Sequence, residues 1–555
     1  MKKILKIFFI TILTFLFFES FNNIYAATSC PNPPSGNAIM ICELAGVTTN
    51  NYPIQIARPF VQGEIRNYPQ AVVDNTPVPT QADVKSRWPD GSVKHAIISF
   101  LIPTLNANSN VVVKFQNQTT VNNTPLSQTE MLSSNYNFEA KMELTNGQTQ
   151  TVSARTMLQN GNYIYWTSGP IATTIILADH SASQTYDLGW KDKKYTILTS
   201  SINSSATSIN VVDATDIAAL ASPIKIKIEN EILLVNSISG NTLSVARGVD
   251  GTTPTYHDAG KIVENLNQNS EYKIASDPKY KSFRPIFHAT FWPGINKVKV
   301  RYIGEIANTK SFQDQIYSLA LKLGFSNQQI VYSKPTFTHY AGSRWTKEFW
   351  INGEPSSITI NHNLPYLIST KFIPNYDLTK NIPESVISSA YSSWVSKPKD
   401  LFDAGEWTKA MPTTGGRAEI GPYPAWAVRW LYTFDKRMKE EAFGNSDLAA
   451  SWPVHFREGD STRFFNREKT ISALGKIISI SARPTLGLVW GILGVPDTSL
   501  NDKIIPVGKT SDGGWFPDVA HQPDPFSIQY TLTGDYWYLE EMQFWAGYGA
   551  AWPNR

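Results

Sequence analysis

The stretch that decides the fold of the first part of the chain reads RWPDGSVKH and spans residues 87–95. Its Pro-Asp-Gly tripeptide is typical of a tight turn between two strands, because proline presets one backbone angle and glycine accepts a left-handed conformation. Trp88, directly before the turn, is large and flat enough to cover one face of a sheet. Residues 95–102 are rich in β-branched residues, so the stretch predicts a β-hairpin.

The same β texture extends over residues 27–375. Segments 111–115, 173–177 and 297–306 combine β-branched and aromatic residues between stretches of Asn, Gly, Pro and Ser. Residues 298–303 alternate apolar and polar side chains, which predicts a strand with one face in water. We therefore expect a region of β-barrel or β-sandwich architecture.

Helical patterns begin at about residue 380. Residues 383–387 predict a helix start with Pro383 in the first turn. Residues 425–434 carry apolar side chains on two faces, which predicts a helix buried among others. Asp535 is a candidate N-cap for a helix with Leu539, Met542 and Trp545 on one side and Glu540 and Glu541 on the other. Residues 470–495 fit helix and strand equally.

A compositionally distinct module interrupts the β region. Residues 201–263 are poor in aromatics and rich in Ser, Asn, Ile and Val, and the segments before and after them could join directly. We expect an insertion at a surface loop tip, where insertions are tolerated. Its segment 246–252, ARGVDGT, resembles small β modules of phage tail-fibre proteins, and the resemblance implies spacing or adhesion.

Composition and the first residues indicate an exported, folded protein. The chain has 555 residues, 42% of them hydrophobic and 17% charged, enough for several domains. Lys2 and Lys3 precede a mostly apolar stretch at 4–18 and a small-residue cleavage site after Ala26, which is typical of a secretory signal peptide. Removing residues 1–26 lowers the formal net charge from +3 to +1. We expect a secreted or periplasmic protein with no nucleic-acid partner and no membrane contact after cleavage; an uncleaved N-terminal anchor is the alternative.

The chain contains two cysteines, Cys30 and Cys42. In an oxidising compartment they are placed to close a small N-terminal loop, and we predict a disulfide. The alternative is a pair of reduced thiols.

Several segments resemble the exo-rhamnogalacturonan lyase family. They are residues 87–95 and, in the C-terminal part, GGRAEIGP at 415–422, WPVHFR at 452–457 and HQP at 521–523. The resemblance implies β domains ahead of an α/α toroid in a secreted protein that acts on polysaccharide. Two features depart from it: His95 stands where relatives tend to have a second Trp, and few helices are predicted, so we expect a partial toroid. The predicted plan is a signal peptide at 1–26, β structure at 27–195, a small β module at 196–280, continued β structure at 281–375 and an α/α helical domain at 376–555.

Nine of the 16 tryptophans lie in residues 401–555. Trp426, Trp430 and Trp545 follow helical patterns and are predicted to be core residues. Three others lie in loop-like sequence and are candidates for stacking on sugar rings, namely Trp407, Trp452 and Trp515.

Three polar loop clusters accompany these tryptophans, at residues 415–419, 455–458 and 512–521. A polysaccharide lyase needs a cation that neutralises a uronic carboxylate and a base that titrates near neutral pH. Arg417 or Arg457 could fill the first role and His455 or His521 the second. Tyr423 could protonate the leaving oxygen, with Glu419 as a further substrate contact. The alternative for Arg417 and Glu419 is an ion pair, and for His521 a helix cap.

Two other functions stay open. A glycoside hydrolase needs two carboxyl groups beside the scissile bond, for which the candidates are Glu419, Glu458, Asp512 and Asp518. A non-catalytic glycan-binding or adhesion protein would present its loop tryptophans on one open face, whereas an enzyme would bring its polar groups to one cavity. Nucleotide-binding, zinc-protease and serine-hydrolase motifs are absent from the sequence. We predict a polysaccharide or oligosaccharide partner and no cofactor, with a divalent cation left open.

Overall fold

The computed structural model describes residues 30–146, 148–178, 195–218, 222–266, 283–308, 314–413, 415–458, 475–479 and 513–551. The strands are β1 (Ala38–Glu43), β2 (Thr49–Pro59), β3 (Tyr68–Val73), β4 (Thr76–Pro77), β5 (Thr80–Arg87), β6 (Val93–Leu105), β7 (Asn110–Gln118), β8 (Ala140–Asn146), β9 (Gln148–Ser153), β10 (Tyr163–Thr167), β11 (Thr173–Leu177), β12 (Tyr195–Ile197), β13 (Ser208–Asn210), β14 (Ile224–Ile228), β15 (Glu231–Ser239), β16 (Thr242–Ala246), β17 (Ile262–Asn265), β18 (Arg284–Trp292), β19 (Lys297–Glu305), β20 (Gln315–Leu323), β21 (Gln329–His339), β22 (Arg344–Ile351) and β23 (Ile358–Asn361). The α-helices are α1 (Gln128–Met131), α2 (Ala154–Gln159), α3 (Thr215–Ala218), α4 (Leu364–Ser369), α5 (Glu384–Ser396), α6 (Ala425–Thr433), α7 (Lys436–Ala449), α8 (Ser527–Thr533) and α9 (Tyr536–Ala550).

Two antiparallel sheets, ordered β23-β1-β7-β3-β4 and β2-β6-β5, share the first hydrophobic core. The predicted hairpin at 87–95 is confirmed: β5 pairs with β6, and the turn is closed by the bond from Gly91 N to Trp88 O at 2.9 Å. Gly91 has φ +84°, a value that favours glycine. The prediction of β structure in this region therefore holds.

The last strand of the first unit comes from far along the chain. β23 pairs antiparallel with β1, with Met40 opposite Asn361 and Cys42 opposite Thr359. The predicted disulfide between Cys30 and Cys42 is confirmed and ties the start of the described chain to the same strand. The signal-peptide prediction lies outside the described residues.

A second pair of sheets, ordered β10-β11-β18-β19-β22 and β21-β20-β8-β9, contributes to the largest core. The strands predicted at 173–177 and 297–306 are present as β11 and β19. The prediction that residues 298–303 have one wet face is wrong from Arg301 onward. Arg301 is buried because Asp535 and Glu348 neutralise its guanidinium at 3.0 and 2.9 Å.

Residues 195–266 form a sheet of their own, ordered β12-β17-β14-β15-β16-β13, around a separate core that includes Ile226, Leu233 and Leu243. Although this sheet lies between β11 and β18 in the sequence, β11 pairs directly with β18. The domain boundaries at 196 and 280 stay a prediction, since residues 267–282 are outside the described ranges.

Five of the described helices follow residue 380. The predicted helix start is present as α5, with Pro383 as its N-cap rather than in its first turn. Asp535 caps α9 by accepting a bond from Trp537 N at 3.0 Å, as predicted. α9 buries Glu540 and Glu541 on the same helix as Trp545, so its acidic side is part of the interior. The partial toroid stays a prediction. Within the described ranges, no helix has the length and apolar content needed to cross a membrane.

Candidate functional site

The three loop tryptophans predicted to stack on sugars lie in the interior. Trp407, Trp452 and Trp515 are 4%, 1% and 0% exposed. Their rings pack edge to face, with centroids 5.0 Å apart between Trp407 and Trp452 and 4.7 Å between Trp452 and Trp515. Sugar stacking requires an open ring face, and these rings instead form part of the core.

Two of the predicted catalytic residues lie in a buried ionic network between the second sheet pair and α9. His455 Nε2 is 2.8 Å from Glu541 Oε2, and its Nδ1 is 2.7 Å from Gly342 O. Arg457 contacts both oxygens of Glu305, at 2.6 and 2.8 Å, and Glu540 Oε1 at 2.7 Å. His455 and Arg457 thus make these hydrogen bonds and ion pairs with other buried residues of the protein, and not at a surface where a substrate would bind.

Arg344, the first residue of β22, is the centre of this network, although no sequence motif pointed to it. It is fully buried and lies 2.5 Å from Glu540, 2.6 Å from Glu541 and 3.0 Å from Glu305. Burial alone would raise the pKa of Glu305 and of Glu540, but the guanidinium groups of Arg457 and Arg344 hold both pKa values below the ordinary range. The network therefore joins the sheet to α9 through paired charges.

Four of the remaining predicted polar residues, Arg417, Glu419, Asp518 and His521, lie on two adjoining loops, 408–420 and 513–521, which we call the loop pair. Met411 N donates to Phe516 O and Phe516 N donates to Lys409 O, each at 2.9 Å. Glu419 Oε1 accepts a bond from Thr408 N at 2.7 Å, and its Oε2 lies 3.0 Å from Arg417 Nε. The ion pair considered as an alternative for Arg417 and Glu419 is present.

The loop pair carries a His–Asp pair at its surface. His521 Nδ1 hydrogen-bonds to Asp518 Oδ2, and the His521 side chain is 29% exposed. Its Nε2 has no hydrogen-bond partner among the described residues and faces Gly415, where an added Cβ would lie 4.0 Å away. Since a carboxylate accepts but does not donate, Asp518 fixes the proton on Nδ1 and leaves Nε2 able to accept one.

Three other candidates do not contribute to this pair. Tyr423 is buried, its hydroxyl donates to Phe372 O at 3.5 Å, and burial raises its pKa well above the ordinary value, which opposes the predicted role as proton donor. Glu458 is buried beside the network. Asp512 lies outside the described residues.

A cavity of about 210 Å³, which we call the carboxylate cavity, lies between β22 and helices α5 and α7. No sequence motif pointed to it. It is lined by Trp345, Thr346, Lys347, Glu348, Trp394, Lys399, Asp400, Leu401, Phe402, Gly444, Asp447, Leu448 and Ser451. Its wall therefore contains three carboxyl groups, two amino groups and aromatic rings, a mixture found in ligand-binding sites.

The carboxyl groups of the cavity have divergent pKa values. Burial, together with the carboxylates of Glu348 and Asp535, raises the pKa of Asp447 to about 6 against the opposing effect of Arg301. Burial would also raise the pKa of Asp400, but bonds from Lys334 and Tyr332 lower it to about 2. No group of three or more His, Cys, Asp or Glu side chains in the described ranges is arranged to hold a metal ion.

No protein-family model matches the sequence, and no curated protein matches it. Twelve chains of known structure match. One is an α-mannosidase from Enterococcus faecalis V583, with 7% sequence identity and a TM-score of 0.19; the match covers 60% of this chain and 45% of that one. This chain thus spans less than half the length of that protein. A superposition at this TM-score establishes neither a shared fold nor a shared activity.

Proposed function

We propose that this protein is a carbohydrate-active enzyme that cleaves a uronic-acid-containing glycan by β-elimination, with His521 as the base. The observation that carries the proposal is the surface pair of His521 and Asp518 on the same loop pair as Arg417. The resemblance of residues 415–422 and 521–523 to the exo-rhamnogalacturonan lyase family supports the assignment of the active site to the same two loops.

The elimination needs a base, a cation and a departing oxygen. His521 Nε2 accepts the proton on the carbon beside the uronic carboxylate, a carbon–carbon double bond forms, and the bond to the leaving oxygen breaks. The leaving oxygen keeps the electron pair of that bond and takes a proton from solvent, so the products are the unsaturated uronate and a free hydroxyl group. Asp518 is a positioning residue, because it sets the tautomer of His521 and stabilises the imidazolium that forms.

Arg417 is the candidate for binding the uronic carboxylate. Its Nε lies beside Glu419 and its Nη1 donates to Ala410 O at 3.3 Å, and the donors of Nη2 have no partner in the described part of the chain. A guanidinium has five N–H donors, so it can hold Glu419 and a substrate carboxylate together. Glu419 then orients Arg417.

The test is to incubate the protein with a panel of uronic-acid polysaccharides and follow the ultraviolet absorbance of an unsaturated uronate. Wild type is expected to form unsaturated product, and His521→Ala to lose about 10²–10⁴-fold of the rate, as expected for removal of a general base. Asp518→Asn is expected to lose less and to change the pH profile. Thr413→Ala, an exposed change on the same loop, is the matched control and keeps the wild-type rate.

Other outcomes separate the alternatives. New reducing ends without unsaturated product would replace the lyase with a glycoside hydrolase. Retention on a glycan column with neither product would leave a binding protein. An unchanged rate in His521→Ala would refute the assignment of the base.

A further inference from the structure

Asp447 has one oxygen held by the protein and one that is free. Its Oδ1 accepts bonds from Trp537 Nε1 at 3.0 Å and Tyr538 Oη at 3.3 Å, and lies 3.5 Å from Arg301 Nη1. Its Oδ2 has no partner among the described residues, and 35% of the side chain is exposed. Asp447 therefore presents a fixed acceptor to the carboxylate cavity.

The size and polarity of the cavity limit the ligand. Its volume of about 210 Å³ is below the roughly 300–1,000 Å³ of pockets that enclose drug-sized molecules, so it has room for one ring. The lining residues include acidic and basic side chains as well as Thr346 and Ser451. Several hydroxyl groups on one ring would match such a wall.

The charges favour an uncharged ligand. Lys399 Nζ donates to the carbonyl groups of Trp394 and Val395 at the end of α5, and Lys347 Nζ lies 3.4 Å from Asp400. An anion would therefore meet the Asp447 carboxylate with both lining amino groups already engaged.

A cationic ligand is disfavoured for the converse reason. Glu348 is neutralised by Arg301 at 2.9 Å and by Lys299 at 3.3 Å. Asp400 is neutralised by Lys334 at 2.6 Å. Neither carboxylate is left to stabilise a positive charge in the cavity, and the Arg301 guanidinium, 3.5 Å from Asp447 Oδ1, offsets the charge of Asp447.

We propose that the carboxylate cavity binds a single uncharged sugar ring through its hydroxyl groups, with Asp447 Oδ2 as the main acceptor. The wall beside Asp447 is closely packed, because Gly444 on the same helix contacts Trp394, and an added Cβ at Gly444 would come within 2.3 Å of the indole ring. This binding site is separate from the loop pair, and it requires no β-elimination.

The test is saturation-transfer NMR on the full-length protein with the methyl glycosides of glucose, galactose and mannose, and with glucosamine and glucuronate as charged probes. At least one neutral glycoside is expected to bind. Asp447→Asn keeps an oxygen for Trp537 and Tyr538 but turns an amide donor toward the cavity, and it is expected to weaken binding about tenfold or more, because a bond to a charged acceptor is lost. Asp377→Asn, at an exposed turn outside the cavity, is the control and is expected to bind as wild type does.

The pH dependence gives a second readout. Because the ionised carboxylate is the stronger acceptor, wild-type affinity is expected to rise between pH 5 and pH 7, and the affinity of Asp447→Asn to stay constant. The proposal is overturned if no neutral glycoside binds, if Asp447→Asn binds as wild type does, or if the Asp447-dependent ligand is glucosamine or glucuronate. Unsaturated product is measured separately, so unsaturated product without Asp447-dependent binding overturns this inference alone, and the converse result overturns the proposed β-elimination alone.

Discussion

Replacement of Arg344 by alanine is expected to destabilise the unit formed by the second sheet pair and α9 by about 3–5 kcal/mol, the cost of removing one partner from a buried ion pair. Arg344 contacts three carboxylates, but Arg457 continues to neutralise Glu305 and Glu540. In the described part of the chain, the contact with His455 is the one charged or polar side-chain contact that Glu541 keeps. The cost therefore falls mainly on Glu541, which is fully buried.

Urea unfolding followed by tryptophan fluorescence is the assay, because the Arg344 guanidinium lies 4.6 Å from the ring centroid of Trp537. Hydrogen exchange of the α9 amides reports the same opening locally. Arg344→Lys keeps the charge but cannot fork onto two carboxylates, and is expected to lose about 1.5–3 kcal/mol. Arg344→Met combined with Glu541→Gln is expected to recover part of the loss in a double-mutant cycle. A change below about 1 kcal/mol in Arg344→Ala would refute the idea that the network holds α9 to the sheet.

Three further predictions concern stability. The depressed pKa values of Glu305 and Glu540 stabilise the fold above the ordinary pKa of about 4.3, and this stabilisation is lost as the pH falls through their folded values; the melting temperature should fall below about pH 4, and a flat profile to pH 2 would contradict this. The raised pKa of Asp447 has the opposite effect: its stabilisation of the fold is present below the ordinary pKa and is lost as the pH rises through about 6. The melting temperature of Asp447→Asn, compared with that of wild type at the same pH, should therefore increase more at pH 8 than at pH 5. An equal increase in melting temperature at both pH values would show that ionisation of Asp447 does not destabilise the fold. Reduction of the disulfide, which spans 12 residues, should cost about 3 kcal/mol, and the Cys30→Ser/Cys42→Ser variant should match reduced wild type; identical unfolding of the oxidised and reduced protein would exclude the contribution.

The local elements of the fold were accessible from the sequence. The turn at 89–91, the helix start near Pro383, the cap at Asp535 and the disulfide depend on residue types whose local geometry is nearly fixed. Each prediction concerned residues close together in the chain. The extra strand β23 could not be foreseen, because pairing between residues 38–43 and 358–361 leaves no local signal.

The candidate site could be predicted only in part from the sequence, since a charged residue is expected to be exposed when the residues that neutralise it are distant in the sequence. Glu541 is buried because Arg344 and His455, from two other segments, neutralise it. Arg301 was assigned to a wet face for the same reason. The residues of the loop pair were named as candidates from two Gly-rich stretches, but the contact between the two loops could not be predicted, because they are far apart in the chain. One sequence signal could have pointed to the carboxylate cavity. Asp447 lies four residues before Ser451, in a helix whose neighbouring positions are apolar or small.

The position of β23 affects how the protein is made. Synthesis proceeds from the N-terminus, and domains generally fold in that order. The first unit cannot do so completely, because β1 stays an open sheet edge until residue 361 has emerged, and an open edge is a site for pairing with other chains. Roughly two thirds of the polypeptide, including the inserted module, must be synthesised before the N-terminal sheet is closed. A chaperone that protects β1 during this interval should raise the yield of folded protein more than one that acts on the finished chain.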